Sequence, residues 1–129
     1  MRLVLVFLFS ALVAAPVSAE ENPVPVVQAN LDAYRAKDLD AFVRTFAPDA
    51  VVEFMGVQVR GQKQIRAVYR ANFAPDAPGV QLVDSGREGD MVWMSYGFVY
   101  ADGSEACCAQ SEFTVRDGKI AYLVAYGPE

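Results

Sequence analysis

The sequence predicts an α+β domain, three N-terminal helices packed on a curved antiparallel sheet. Three observations predict it. Apolar residues recur at helical spacing over about 24–73. From residue 80 onward the period changes to two, the signature of strands with one buried face. That second half is punctuated by Asp102-Gly103 and Asp117-Gly118, pairs suited to tight hairpins whose central positions need positive φ. At 129 residues and 53% hydrophobic, the chain suits one domain and can bury a core without a metal or disulfide staple.

The elements follow in order. Met1-Arg2, the apolar run Leu3–Val13, Pro16 and the small residues Val17-Ser18-Ala19 form a secretory signal pattern. Cleavage is expected after Ala19, leaving residues 20–129 as the domain in the periplasm or outside the cell, with no stable membrane insertion after cleavage. The apolar run is short for a bilayer, which takes ~20 residues. Asn22-Pro23 starts a helix over about Val24–Ala36, with Val27, Asn30, Leu31 and Tyr34 on one side. Asp38 caps a second helix, Leu39–Phe46, whose stripe is Leu39, Phe42, Val43 and Phe46. Ala47-Pro48-Asp49 ends it, because proline cannot continue the ladder. Strands are expected at Val51–Met55 and Val57–Arg60. A third helix, Gln62–Phe73, presents Ile65, Val68, Tyr69 and Phe73. After the Pro75–Gly79 loop come strands at about Val80–Arg87, Met91–Ala101, Glu105–Arg116 and Lys119–Tyr126.

Composition excludes several chemistries. With no His, the chain has no Ser-His-Asp or Cys-His machinery, and its two Cys make no zinc finger. Eleven basic residues against sixteen acidic give a net charge of −5, which argues against a nucleic-acid or anionic-membrane surface. No cofactor and no metal are expected. Cys107-Cys108 lie side by side, and on a regular strand their thiols would point to opposite faces. They are expected as free thiols, at least one of them packed as a small hydrophobe. A disulfide between neighbours or between molecules stays open. The pair lacks the spacer of a Cys-x-x-Cys redox site.

The order helix, helix, short strand pair, helix, long meander resembles the nuclear-transport-factor-2-like superfamily. The local wording carries the likeness: Leu39-Asp40 entering a helix, then Phe46-Ala47-Pro48-Asp49-Ala50; Gly61 before a helix with Ile65 and Tyr69; Glu112-Phe113-Thr114-Val115 before Asp117-Gly118-Lys119-Ile120. The chain is similar to SnoaL-like proteins, relatives of polyketide cyclases and ketosteroid isomerases, over about Val24–Tyr126. The long antiparallel strands themselves imply a cone: a sheet that twists and curls leaves a concave face, and helices laid across it would close a small cavity. The resemblance does not choose a function, since the superfamily holds isomerases, cyclases, dehydratases, carriers and non-enzymatic modules. An isomerase of this kind uses a carboxylate base, an oxyanion-binding Tyr and a protonated Asp. The matching positions here are Phe54, Asn30 and Ser111; only a supporting Tyr, Tyr69, is kept. The isomerase base is therefore absent.

Strand parity then selects cavity-facing residues. Asn30, Tyr34, Phe46, Phe54, Val68, Tyr69, Asn72, Met94, Tyr96, Phe98, Ser111 and Phe113 are expected to line it, an apolar wall with a few polar groups. A solid core is the alternative. Glu53 and Glu112 are expected to point outward, but a one-residue slip would swing either inward as a displaced catalytic base. With Tyr69 they are the candidate catalytic set. Trp93, Val99, Cys108 and Thr114 are expected on the open sheet face, where a homodimer would form. The leading functional reading is an exported module binding a small, largely apolar molecule. A small cofactor-independent acid–base enzyme (isomerase, cyclase or dehydratase) comes second. A non-catalytic dimerisation or interaction module comes third.

Overall fold

The computed structural model describes residues 22–127. The expected signal segment lies outside them. Among the described residues no helix is long and apolar enough to cross a membrane.

Helix α1 spans Val24–Arg35 and α2 spans Leu39–Arg44. Asn22 Oδ1 accepts from the Val24 amide at 3.1 Å, so the expected start signal acts through Asn22. Asp38 caps α2 by accepting from Ala41 N at 3.0 Å. Helix α2 ends two residues earlier than its apolar stripe. Phe46 instead opens strand β1, Phe46–Phe54, and pairs with Ile120. The reason lies in the partner strand. Ile120 N donates to Thr45 O at 2.9 Å, so the ladder takes up the chain as soon as α2 stops. Pro48 and Asp49 then bulge outward, exposed, while Phe46, Ala50 and Val52 stay buried.

Strand β2 is Val57–Arg60, and α3 runs Gly61–Tyr69. A single 3-10 turn, Arg70–Phe73, completes what the sequence read as one helix. Strands β3 (Gly79–Glu88), β4 (Met91–Val99), β5 (Glu105–Arg116) and β6 (Lys119–Tyr126) form the meander. One six-stranded sheet results, in the order β2-β1-β6-β5-β4-β3. It is mixed, not purely antiparallel: β1 runs parallel to β6, while the other neighbours are antiparallel. The Asp117-Gly118 hairpin has positive φ at both residues, 51° and 73°, as its sequence predicts. At Asp102-Gly103 only the glycine is left-handed, and the turn is wider. It is closed by hydrogen bonds between Tyr100 and both Gly103 and Ser104.

Curvature comes from bulges. Register shifts fall between Leu82 and Asp84 on β3, between Tyr96 and Phe98 on β4, and between Thr114 and Val115 on β5. The helices cover the concave face. Phe42 is the hub of that core, with ring centroids 4.8–5.9 Å from Tyr34, Phe46, Tyr69 and Phe73. On the convex face Trp93 lies flat over Gly86: a Cβ there would come within 2.5 Å of the indole.

Candidate functional site

The concave face retains a small cavity of about 50 Å³. Helix α1 supplies Asn30, Leu31 and Tyr34, α2 supplies Phe42 and α3 supplies Tyr69. The sheet supplies Val80, Met94, Tyr96, Ser111, Phe113 and Leu123. No Asp or Glu is among these lining residues.

The polar groups sit as separate hydrogen-bonded pairs on an apolar wall. Asn30, 4% exposed, donates through Nδ2 to Thr45 Oγ1 at 2.9 Å. Thr45 Oγ1 in turn donates to Phe42 O at 2.6 Å, which fixes the amide's orientation. Tyr96 and Ser111 share a hydrogen bond at 3.0 Å. Tyr34 accepts from Asn72 Nδ2 at 3.1 Å, which leaves its own O–H free to donate elsewhere. Tyr69 is 5% exposed and lines the cavity, and among the described residues no buried side-chain polar atom is left without a hydrogen-bond partner. Burial pushes the pKa of Tyr34, Tyr69 and Tyr96 above the ordinary phenol value. Asn72 partly offsets this at Tyr34, and Ser111 at Tyr96, because each hydrogen bond favours the phenolate. The three phenols are also close enough that each anion would oppose the next. They are neutral donors at physiological pH.

Seven residues expected from the sequence line the cavity: Asn30, Tyr34, Tyr69, Met94, Tyr96, Ser111 and Phe113. Five others do not. Phe46 is wholly buried in the core. Phe54 packs on Tyr69 with centroids 5.5 Å apart, closing the wall from behind. Val68 is half-buried against the core. Asn72 acts on the site only through Tyr34. Phe98 stands edge-on to Tyr96 at 5.6 Å.

Glu53 and Glu112 are not swung inward. Glu53 Oε2 accepts from Tyr122 OH at 2.6 Å on the convex face, which raises the Tyr122 pKa. Glu112 is exposed between Ser111 and Phe113, which face in. No register slip occurs at either acid, so alternation carries each carboxylate away from the cavity. The displaced-base arrangement is therefore not present. Leu31, Phe42, Val80 and Leu123 line the cavity without having been singled out for it. Leu31 and Phe42 were visible in their helix stripes. Leu123 was not, because a bulge at Ala121 reverses the parity of β6.

The cysteines also differ from expectation. Cys107 and Cys108 are joined by a disulfide, and both are exposed. They sit where β5 spends two residues opposite Gly97 alone, so the alternation that would separate the thiols is interrupted. Among the described residues no cluster of three or more Cys, Asp or Glu could hold a metal ion.

The family model of the SnoaL-like domain matches residues 27–123. The chain belongs to the SnoaL-like domain family. A candidate polyketide cyclase of Sinorhizobium meliloti is 30% identical to this SnoaL-like chain, covering 78% of it and 93% of its own length, with a TM-score of 0.70. A nuclear-transport-factor-2-like protein of Mesorhizobium loti is 19% identical at a TM-score of 0.73, covering 87% and 95%. A candidate ketosteroid isomerase of Kribbella flavida is 15% identical at a TM-score of 0.70, covering 83% and 78%. The last two share the fold. No functionally curated protein matches the SnoaL-like chain. The cone that the sequence pattern implies is thus the fold of this family.

Proposed function

We propose that this SnoaL-like protein is an exported binding module for a small, largely apolar molecule carrying one carbonyl or hydroxyl group. The observation that carries the reading is Tyr69. Its side chain is 5% exposed, is held protonated by burial, and lines an apolar cavity. A ligand oxygen entering the cavity would accept a hydrogen bond from a phenol on this wall, worth about 0.5–1.5 kcal/mol. Tyr34 and the Tyr96–Ser111 pair stand ready as second donors. The size of the cavity limits the occupant. Drug-sized ligands fill roughly 300–1,000 Å³, so the molecule is small or its entry widens the cone.

The test is a thermal-shift and titration series with cyclohexanone, phenol and benzene. Ketone or phenol should stabilise the protein, by about 2.7 kcal/mol at a hundredfold excess over Kd. Tyr69→Phe should weaken that binding about tenfold, which is ~1.4 kcal/mol. It should leave benzene binding unchanged. No stabilisation by any small cyclic ligand would defeat the reading.

An enzyme reading draws on the S. meliloti relative and on the same tyrosines, which could polarise a substrate carbonyl. It ranks second because the lining offers donors and no carboxylate base. The convex face, with Trp93, Tyr122 and Val124 half-buried and no helix among the described residues over them, is where a second copy would dock. Sedimentation of wild type against Trp93→Ala tests that association.

A further inference from the structure

The Cys107–Cys108 pair plays no part in the cavity. It lies on β5 just before Ala109, Ser111 and Phe113, but it opens to the other side. There it borders an open hollow with Gln110, Glu112, Tyr126 and Gly127. These are the chain's two cysteines. A cysteine kept for packing is buried, and both of these are exposed. A staple is an equally poor account of them. Stabilisation by a disulfide grows with the loop it closes, and neighbours close the smallest loop possible. Exposed disulfides of this kind are the labile ones that exchange with external thiols.

The surrounding backbone holds the pair together. Strand β5 bulges at Cys107-Cys108 against the single residue Gly97. A Cβ on Gly97 would come within 3.1 Å of Ala106 O, so a bare glycine lets the two strands stay close beside the bulge. Released from each other, the sulfurs would remain neighbours on one exposed bulge. Glu112 and Tyr126 line the same hollow.

We propose that Cys107 and Cys108 form a redox-gated chelating site for a thiophilic metalloid or soft metal ion. As the disulfide the site is closed, because thiolate is the ligand and none is present. An external dithiol opens it by exchange: two electrons pass to the Cys107–Cys108 bond, its sulfurs take two protons, and the reductant leaves as its own disulfide. The two thiols then condense with a trivalent arsenical. Two As–S bonds form, the arsenic-bound oxygen departs as water, and no atom changes oxidation state.

Phenylarsine oxide is the probe, used on the full folded domain. Air-exposed protein should be lighter than the reduced form by two hydrogens in intact mass, and should bind no arsenical. After reduction and removal of the reductant, one equivalent should bind per chain, and 2,3-dimercaptopropanol should strip it. Cys107→Ser and Cys108→Ser should each lower affinity at least a hundredfold, with unchanged circular dichroism. The cavity-ligand titration on the same variants should not move. Three results would overturn the proposal: free thiols in the air-exposed protein, no uptake by the reduced wild type, or full uptake by either single-serine variant. Reduced wild type alkylated with iodoacetamide provides a control without mutation, and it too should bind nothing.

Discussion

Strand β5 presents two different chemistries on its two sides. Ala109, Ser111, Phe113 and Val115 are buried and face the helices. Cys108, Gln110 and Glu112 alternate with them and are exposed. One polypeptide segment therefore carries both the wall of an uncharged cavity and a hydrated face holding an acid and a disulfide. Burial explains the sorting. A carboxylate inside the cone would need a partner or a strongly raised pKa, whereas a phenol or serine needs one hydrogen bond. This chain has taken the uncharged solution.

That contrast is sharpest in stability. Phe42 is 2% exposed and touches four other aromatic rings. Phe42→Ala should cost about 3–5 kcal/mol, because the cluster cannot close over the hole. For a domain of this size that is a fall in Tm of more than about 10 °C. Scanning calorimetry reads it directly. An equal effect from any single substitution at Gln110 or Glu112 would break the inner–outer distinction.

The next effect is polar. Thr45→Val keeps the shape but removes the acceptor for the buried Asn30 amide and the donor to Phe42 O. Leaving Asn30 unpaired should cost about 1–3 kcal/mol in urea unfolding. Asn30→Leu on the Thr45→Val background should recover part of that loss, since the orphaned amide goes with it.

Much of this was legible in the residues, and the exceptions share a cause. Strands β4 and β5 alternate cleanly over 92–96 and 109–113, so Met94, Tyr96, Ser111 and Phe113 could be placed at the cavity by parity. The helix faces gave Asn30, Tyr34 and Tyr69 by spacing alone. What could not be read is whatever lies beside a bulge. Pro48-Asp49 looped out of β1 hides that Phe46 is already in the sheet. Ala121 shifts β6 so that Ile120 and Leu123 face the same way, against simple alternation. Gly97 opposite two residues brings Cys107 and Cys108 together. A bulge is set by cross-strand pairing and carries little local sequence signal, so a period of two fails at those places.

A smaller effect is expected with pH. Tyr34, Tyr69 and Tyr96 have folded pKa values raised above the ordinary 10.0, with burial the leading cause. The neutral phenol is thus favoured more in the folded state than in the unfolded one. Below pH 10 both states are protonated and stability is flat with respect to these groups. Above it the unfolded chain ionises first, so stability is lost at up to ~1.4 kcal/mol per pH unit for each tyrosine. Urea midpoints between neutral pH and strong alkali should show that decline, and Tyr69→Phe should make it shallower. A stability curve unchanged to well above pH 10 would mean that the phenols are hydrated.

The smallest effect belongs to the outer acids, and it bears most on function. Glu53→Gln keeps an acceptor for Tyr122 OH, and Glu112→Gln removes only an exposed charge. Each should change stability by less than about 0.5 kcal/mol. Each should also leave cavity binding, and any turnover found, within twofold of wild type. The prediction follows from where alternation puts the two side chains: from the convex face neither oxygen can reach a molecule lying against Tyr69 and Ser111. A large loss in either variant would require β1 or β5 to slip by one residue when ligand binds. It would restore a carboxylate base to the cone and turn the binding module into an acid–base enzyme.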